Sequence, residues 1–292
     1  MQPEQTVYFA QGKLLITAEY TVLHGALALA VPTVKGQYLA FTPGPEPLYW
    51  EAEDVHGMTW LKGYVMREPS LAFVHSCIQG AMELKGQFGK LRGRVKTRLE
   101  FERSWGWGTS STCISLIAQW LEVDAMALHA KVSKGSGYDV ACATATGPML
   151  FRKDENGCSI QPVSLNHWPT EHLFFGYSGQ KQDSQTAVEG YLQETLALGV
   201  IAESTDWTQK ILEANEAGPL RDLIIGHEAF MGRHLGMKSP LSGQTAPSCG
   251  KSLGAWGGDF GLFCIQEAKD LAYLQQDGYG PIFAWKEVVR HG

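Results

Sequence analysis

Three glycine-rich segments contain the residues whose types and spacing could do chemistry. The first covers residues 106–112 and stands directly before the apolar stretch 114–121. A helix that begins there would present unpaired backbone N–H groups and the positive end of its dipole, and its glycines would let a phosphate approach the backbone closely. The hydroxyl groups of Thr109, Ser110 and Ser111 could reach a phosphate or Mg²⁺. The segment predicts a phosphate-binding loop, with a well-capped helix after a flexible turn as the alternative.

The other two segments place charged groups beside glycines. Residues 135–139 put a single carboxylate, Asp139, after a tight turn and at the start of an apolar stretch. This carboxylate could act as a general base, or it could simply cap a helix. Residues 251–259 contain three glycines and lead into the strand-like residues 262–265. Such a loop indicates close approach of the backbone to a ligand, although a bulged hairpin would also explain it.

Other chemical signatures fail at one position each. Residues 250–252 read Gly-Lys-Ser, like the end of a P-loop, but position 245 holds threonine where that motif needs glycine. His227 and Glu228 begin like the helix of a zinc protease, but position 231 holds methionine where the second histidine belongs. His227 and His234 are therefore expected to be two histidines on an amphipathic helix rather than metal ligands.

Strands and helices mix in both halves of the chain, which predicts an α+β fold. Period-two patterns and β-branched residues predict strands at 6–18, broken by Gly12, and at 27–42, 91–102, 149–151, 173–177 and 262–265. Helical spacing predicts helices at 69–84, 114–121, 184–196 and 207–236, the last split at Gly218 and Pro219. The polar stretch 153–157 is the best candidate for a domain boundary.

Composition excludes several classes of protein. Lys and Arg number 24 against 30 Asp and Glu, and the net charge of −6 disfavours a dedicated nucleic-acid binder. No apolar run approaches the length of a transmembrane helix, and the N-terminus lacks the features of a signal peptide. Six cysteines are scattered without a CxxC pair, so a disulfide scaffold is not expected. These features predict a cytoplasmic protein with reduced, largely buried thiols and with neither nucleic acid nor membrane as a partner.

Taken together and in chain order, the glycine segments resemble the motifs of the GHMP kinases, the family of galactokinase, homoserine kinase, mevalonate kinase and phosphomevalonate kinase. Residues 12–30 are similar to the opening motif of that family in its mevalonate-kinase-like form. Residues 106–112 resemble its phosphate loop, and residues 135–141 resemble the G-S-G-x-D-x-A segment of the mevalonate and phosphomevalonate kinases. Residues 251–258 resemble the closing glycine motif, so the resemblance covers most of the chain.

The resemblance implies a two-domain fold and two cofactors. Residues 1–155 would form an ATP-binding domain like domain 2 of ribosomal protein S5, and residues 156–292 a ferredoxin-like domain. The cofactors would be ATP and Mg²⁺. The acceptor would be a small anionic hydroxyl compound, mevalonate first and phosphomevalonate second, and the enzyme would be a monomer or homodimer.

The resemblance also implies a role for each residue that matches a motif. Asp139 would orient the acceptor hydroxyl and take its proton, while Lys13 would stabilise developing charge. Ser110 would also contact Mg²⁺. The residues that would wrap the ATP phosphates are Gly106, Trp107, Gly108, Thr109, Ser110 and Ser111. The residues that would bind or border the acceptor are Glu19, Tyr20, His24, Ser178, Gly254 and Gly257.

Two departures from the family pattern keep alternatives open. Leu128 stands where mevalonate kinases carry a Mg²⁺-binding glutamate, which phosphomevalonate kinases also lack. The pair Glu19 and Tyr20 replaces the usual Glu-His, whereas His24 and Gly25 match mevalonate kinase. A phosphomevalonate kinase and a catalytically inactive nucleotide-binding protein are the alternatives. Bulky Trp105, Trp107 and Trp256 near the glycine loops are expected to pack in the core rather than to stack on a nucleotide base.

Overall fold

The computed structural model describes residues 5–87, 89–155, 157–180, 184–193, 196–242, 249–254, 256 and 259–291. This part of the chain divides into two compact units, each assembled from separate stretches. The first unit comprises residues up to 13, 35–103 and 107–145, and the second comprises 14–34, 104–106 and the residues from 146 onward. The domain boundary expected near residue 155 stays a prediction.

The first unit is a mixed sheet with helices packed on one face. Its elements are β1 (Thr6–Leu15), β2 (Ala28–Pro47), β3 (Tyr49–Glu53), β4 (Thr59–Tyr64), α1 (Ala72–Lys85), β5 (Arg92–Leu99), α2 (Thr109–Leu121), α3 (Ala125–Val132) and α4 (Tyr138–Thr144). Strands β1 and β2 each continue into the second unit. The sheet order is β4-β3-β5-β2, in which β5 pairs parallel with β3 and antiparallel with β2.

The core of the first unit lies between this sheet and its helices. Trp50 and Val95 from the sheet pack with Leu116 and Leu128 from the helices. Residues along β5 alternate between exposed and buried, so its arginines and Lys96 face solvent while Val95 faces the core. That alternation confirms the half-buried strand predicted for 91–102.

The second unit contains two antiparallel pairings and most of the remaining helices. Its elements are β6 (Met149–Asp154), β7 (Gly157–Pro162), β8 (Leu173–Tyr177), α5 (Ser184–Tyr191), α6 (Val200–Glu213), α7 (Ala217–Leu235), β9 (Gly250–Ser252), β10 (Phe260–Cys264), α8 (Ala268–Gln276), β11 (Ile282–Ala284) and α9 (Trp285–Val288). The start of β2 pairs with β6, and β6 with β7. A separate four-stranded sheet has the order β11-β8-β10-β9.

The mixed α+β architecture predicted from the sequence is confirmed, and several element boundaries differ from their predictions. Strand β1 runs through Gly12 without a break. Helix α2 begins at Thr109, within the predicted loop. The helix predicted at 207–236 is divided at residues 214–216, and Gly218 and Pro219 lie in the first turn of α7. Proline is tolerated there because its missing N–H would have no helical partner.

Two chain-wide predictions can also be compared with the structure. All six cysteines are free thiols, and five of them are buried, Cys158 being the exposed one. Across the ranges given above, no helix combines the length and apolar character needed to cross a bilayer.

Candidate active site

Strand β1 brings Lys13 to the first glycine loop. The Lys13 backbone N–H donates a 3.0 Å hydrogen bond to the Trp107 carbonyl, and the residue is half-buried. Gly108 has a φ of +91°, and a Cβ at this position would lie 3.0 Å from Lys13 Cγ and 2.5 Å from Ser111 Oγ. Glycine is therefore the residue that lets the lysine stem pass so close to the loop.

The same loop ends in the N-terminus of α2. The first helical hydrogen bond runs from the Thr112 N–H to the Gly108 carbonyl at 2.9 Å, so the N–H groups of Thr109, Ser110 and Ser111 precede it. Ser110 is exposed, whereas Ser111 is buried and donates its hydroxyl to the Gly108 carbonyl at 2.8 Å. This end of α2 thus offers backbone N–H groups and one accessible hydroxyl to an anion.

Helix α4 fixes Asp139 at its first turn. Gly137 precedes the helix with a φ of +94°, and Tyr138 and Asp139 are the first two helical residues. Asp139 Oδ1 accepts a 3.0 Å hydrogen bond from the Val140 N–H, and the residue is half-buried. The carboxylate is therefore held at the start of the helix and remains accessible to solvent.

Lys13 and Asp139 act electrostatically on the same two side chains. Burial raises the pKa of Tyr138 to about 12, with Lys13 lowering it and Asp139 raising it. Tyr138 itself is half-buried. Burial is also the largest cause of the raised pKa of Cys142, on which Asp139 and Lys13 again act in opposite directions. The fold thus brings the two predicted catalytic residues into one neighbourhood of the first unit.

A magnesium ion at this loop would have to be held mainly by phosphate oxygens and water. Leu128, at the position of the family's glutamate, is fully buried in the core and supplies no oxygen ligand. The described ranges contain no group of three or more His, Cys, Asp or Glu side chains that could hold a metal. The exposed hydroxyl of Ser110, at the N-terminus of α2, is an oxygen ligand that could complete such a coordination shell.

In the second unit, Glu19 belongs to a buried ionic cluster. Its carboxylate Oε1 accepts a short hydrogen bond from the ammonium of Lys251, which also donates to the Ser252 carbonyl at 2.7 Å. Its Oε2 lies 3.8 Å from His227 Nε2, and the side chains of Glu19, Lys251 and His227 have no solvent exposure. Burial raises the pKa of Glu19 to about 7 despite the opposing effect of Lys251. Burial and the Lys251 charge hold the pKa of His227 well below its usual value.

Glu228 joins helix α7 to the third glycine segment. Its Oε2 accepts hydrogen bonds from the Ser252 N–H at 2.9 Å and from the Trp256 indole at 3.2 Å, while its Oε1 accepts the Ser239 hydroxyl at 2.6 Å. A buried carboxylate with three donors is a satisfied structural group. The segment 251–259, which the sequence suggested as a ligand loop, is thus bonded to α7 through Ser252 and Trp256.

Tyr20 and His24 lie beside one aromatic residue of α5. The Tyr20 ring is 5.1 Å from that of Tyr191, and the His24 ring is 5.5 Å from it. The Tyr191 hydroxyl is 2.7 Å from His234 Nε2. Tyr20 has a φ of +59°, and burial, Glu19 and Asp259 raise its pKa to about 12. Two of the predicted acceptor residues are therefore brought together.

Three other predicted site residues of this unit, Gly106, Gly254 and Ser178, lie next to Asp259. A Cβ on Gly106 would lie 2.3 Å from Asp259 Oδ2, and one on Gly254 would lie 3.4 Å from the same atom. The Asp259 carbonyl accepts the Ser178 N–H at 2.8 Å. The Ser178 hydroxyl donates locally to the Gln180 carbonyl at 3.3 Å. Gly257 lies outside the described residues.

The three tryptophans near the glycine loops pack in the core, as expected. Trp105 meets the Phe283 ring edge-on at 5.2 Å, and Trp107 lies 5.8 Å from Phe101. The indole of Trp256 donates to Glu228, and all three tryptophans are buried.

Sequence reasoning missed several polar residues that the fold places at these motifs. Tyr138 was assigned no role, although it directly precedes Asp139. Lys251 and Glu228 were not recognised as buried partners. Charged residues are rarely buried without a partner. Lys251, between the glycine and serine of β9, and Glu228, among the apolar residues of α7, are the positions where that rule could have been applied.

Comparison with known proteins identifies the architecture. No protein-family model matches the chain, and no curated protein sequence matches it. Among solved structures, phosphomevalonate kinase of Streptococcus pneumoniae, in complex with phosphomevalonate and AMPPNP, matches with a TM-score of 0.73. The match has 17% sequence identity and covers 95% of this chain and 99% of the other. The chain has the GHMP kinase fold.

Further structures with that fold cover nearly the whole chain. Mevalonate kinase of L. major in complex with R-mevalonate matches with a TM-score of 0.67 and 15% identity, covering 95% of this chain and 94% of the other. Galactokinase of Lactococcus lactis complexed with galactose matches with a TM-score of 0.68 and 11% identity, covering 99% and 94%. These proteins act on different acceptors, so the shared GHMP kinase fold does not by itself specify one.

Proposed function

We propose that this protein is an ATP-dependent small-molecule kinase that transfers the γ-phosphoryl group of ATP to the hydroxyl of a small anionic acceptor. Mevalonate is the first candidate. One observation carries the proposal: Lys13 passes Gly108 at the N-terminus of α2, and Lys13 and Asp139 act on the same two neighbours, Tyr138 and Cys142. Phosphoryl transfer requires little more than positioning and charge stabilisation, which these groups supply.

The phosphate groups of ATP would bind at the loop before α2. Backbone N–H groups of residues 109–111 and the dipole of α2 stabilise their negative charge. Ser110 would hold Mg²⁺ together with the phosphates, and the ion would neutralise charge on the β- and γ-phosphate oxygens. The loop residues Gly106 and Trp107 would complete the wrap around the phosphates.

Asp139 and Lys13 would perform the transfer. Asp139 accepts the proton of the acceptor hydroxyl. The hydroxyl oxygen of the acceptor forms a bond to the γ-phosphorus, and the bond between that phosphorus and the bridging oxygen of ADP breaks. Lys13, which enters the loop beside Gly108, stabilises the charge that develops on the transferred group.

Acceptor recognition is assigned to residues of the second unit. Tyr20 and His24 are adjacent to Tyr191 and offer polar groups, while Glu19 is engaged by Lys251 and would act by holding the backbone beside Tyr20. Ser178, Gly254 and Gly257 are assigned to the border of the acceptor region on the basis of their motifs.

Phosphomevalonate is the second candidate acceptor. The absence of a glutamate at Leu128 and the likeness to a phosphomevalonate kinase with a TM-score of 0.73 favour it. A protein that binds the nucleotide without turnover is the third candidate.

The test is ADP release from Mg·ATP in the presence of mevalonate, phosphomevalonate, mevalonate diphosphate, homoserine and several sugars. We expect turnover with one acceptor, and a loss of at least about 100-fold in kcat for Asp139→Asn with AMPPNP affinity unchanged. Asp124→Asn is the matched control, because Asp124 caps α3 by accepting the Ala127 N–H at 2.7 Å and asparagine caps equally well. Wild-type turnover in Asp139→Asn would remove Asp139 from its role. AMPPNP binding without any turnover would favour the non-catalytic alternative.

A further inference from the structure

Residues 18–20 form a turn with an unusual backbone. Ala18 has a φ of +65° and Tyr20 has a φ of +59°, although neither residue is glycine. The ψ of Tyr20 is −48°, which also lies outside the left-handed helical region. Residues other than glycine keep such conformations only where the surrounding structure holds them, and these conformations cluster at functional sites. The groups that hold this turn therefore bear on where Tyr20 lies.

Lys251 of β9 and His227 of α7 hold the turn through polar contacts within the second unit. The Lys251 ammonium donates a short hydrogen bond to Glu19 Oε1. The Ala18 N–H donates a hydrogen bond to His227 Nε2 at 3.4 Å. The side chains of Lys251, His227 and Glu19 have no solvent exposure, so water does not compete for these contacts. The first residue of the turn is thus bonded through its backbone, and the second through its side chain, to two different elements.

The turn leads directly into the residues assigned to the acceptor. Tyr20 is followed by the short 3-10 turn Thr21–His24, so one stretch of chain carries both Tyr20 and His24. The Thr21 hydroxyl oxygen lies 2.6 Å from Ser204 Oγ of α6, which fixes the start of the 3-10 turn as well. A shift of residues 18–20 would therefore move the two acceptor residues together.

The buried ion pair of Glu19 and Lys251 suits positioning better than stabilisation. The cost of removing two charges from water can exceed the energy of their attraction, so a buried pair adds little stability by itself. Within the described ranges, Glu19 Oε2 has no hydrogen-bond donor, and His227 Nε2 lies 3.8 Å from it. The carboxylate is therefore bonded through one oxygen only. What the pair does supply is a directional contact that fixes where Glu19 lies.

We propose that Lys251 and His227 are positioning residues, which hold the turn at residues 18–20 and so set the positions of Tyr20 and His24 for the acceptor. Lys251 acts through the Glu19 side chain, and His227 acts through the Ala18 backbone. Neither Lys251 nor His227 contacts the acceptor in this role. The effect on acceptor binding rests on the proposed kinase function, whereas the restraint on the turn does not depend on that function.

The double variant Glu19→Gln with Lys251→Met, studied at pH 8, tests the role of Lys251. It removes both charges together, so no lone charge is left buried, and it removes the bond between the turn and β9. We expect the KM for mevalonate to rise by about 10- to 100-fold, the range for one hydrogen bond to a charged group, with the KM for ATP unchanged. If the wild type turns over phosphomevalonate instead, the same rise is expected in the KM for that compound.

The variant His227→Phe tests the second contact independently. It keeps an aromatic ring beside Trp207 and Phe230 and removes the acceptor of the Ala18 N–H, so the same KM should rise. The control is Asp206→Asn with Lys210→Met, which removes an exposed ion pair of α6 and should leave both KM values unchanged. An unchanged acceptor KM in the two test variants would overturn the proposal. An equal rise in the control, or an equal rise in the KM for ATP, would overturn it too.

Hydrogen exchange of the backbone provides a readout that requires no acceptor. The Ala18 N–H is bonded to His227, and the Val22 N–H is bonded to the Ala18 carbonyl at 3.0 Å. In a peptide that spans residues 16–25, these amides should exchange at least about 10-fold faster in the test variants than in the wild type. Exchange in a peptide that contains β8 should stay the same. Unchanged exchange at residues 16–25 would refute the restraint. Failure of the kinase proposal would appear as absence of turnover in the wild type, and the exchange rates would then decide the roles of Lys251 and His227 in holding the turn.

Discussion

Replacing Lys251 by methionine tests the buried ionic cluster of the second unit. Methionine keeps an unbranched, apolar chain of similar length and removes only the ammonium. The change takes away the hydrogen bonds from Lys251 to Glu19 and to the Ser252 carbonyl. It leaves the Glu19 carboxylate in a site with no solvent exposure, beside a histidine that burial holds neutral.

The size of the stability loss in Lys251→Met follows from the ionisation of Glu19. Its pKa is raised from 4.5 to about 7 even with Lys251 present. A shift of that size means that the ionised form is already penalised by about 3 kcal/mol in the fold. Removing one partner of a buried ion pair typically costs about 3–5 kcal/mol, and we expect a loss in that range at pH 8.

The loss of stability in Lys251→Met should be large at pH 8 and small at pH 5. A raised pKa means that the folded state binds the Glu19 proton more tightly than the unfolded chain does. The bound proton contributes to the stability of the folded state. That contribution is complete below pH 4.5 and disappears as pH rises through about 7. Without Lys251 the pKa rises further, so at pH 5 Glu19 is neutral and the variant should be close to the wild type in stability.

The assay is urea unfolding at pH 5 and pH 8, followed by tryptophan fluorescence and by circular dichroism so that coincidence of the two transitions can be checked. Adding Glu19→Gln to Lys251→Met should recover most of the stability at pH 8. Lys210→Met is the control, because Lys210 forms an exposed pair with Asp206 that is worth at most about 0.5 kcal/mol. An equal loss at both pH values, with no recovery in the double variant, would refute the reasoning.

Two further outcomes can be measured on the same protein. Gly108→Ala should lower the free energy of unfolding by about 1–3 kcal/mol and weaken AMPPNP binding, because it combines a φ of +91° with a Cβ crowded against Lys13. Gly86→Ala is the control: Gly86 has a φ of +65° and open space around it, so the change should cost backbone strain only. Unchanged AMPPNP binding in Gly108→Ala would contradict the close approach of Lys13 to Gly108. Cys158 should react rapidly with a thiol reagent in the native protein because it is exposed, whereas the other cysteines should react only in denaturant because they are buried. More than one fast thiol in the native state would contradict that burial.

Local sequence patterns predicted the elements that carry the first unit's motifs. Helical spacing placed α1 to within a few residues, and alternation placed β5, because each buries one face and the buried face repeats with the period of its backbone. The first glycine segment was recognised from the sequence, and the structure adds that Gly108 has a positive φ, a conformation that favours glycine. Helix boundaries were less well predicted, as at α2 and α7, because capping and first-turn proline depend on single residues.

The sequence by itself determined the α+β architecture and the three glycine segments, and it singled out Lys13, Ser110 and Asp139 as the candidate residues for phosphoryl transfer. Only the tertiary structure decided which groups meet. The pairing of Glu19 with Lys251 and the contact of Lys13 with Tyr138 join residues far apart in the chain. No local periodicity encodes such contacts, because they depend on where packed strands and helices bring their side chains.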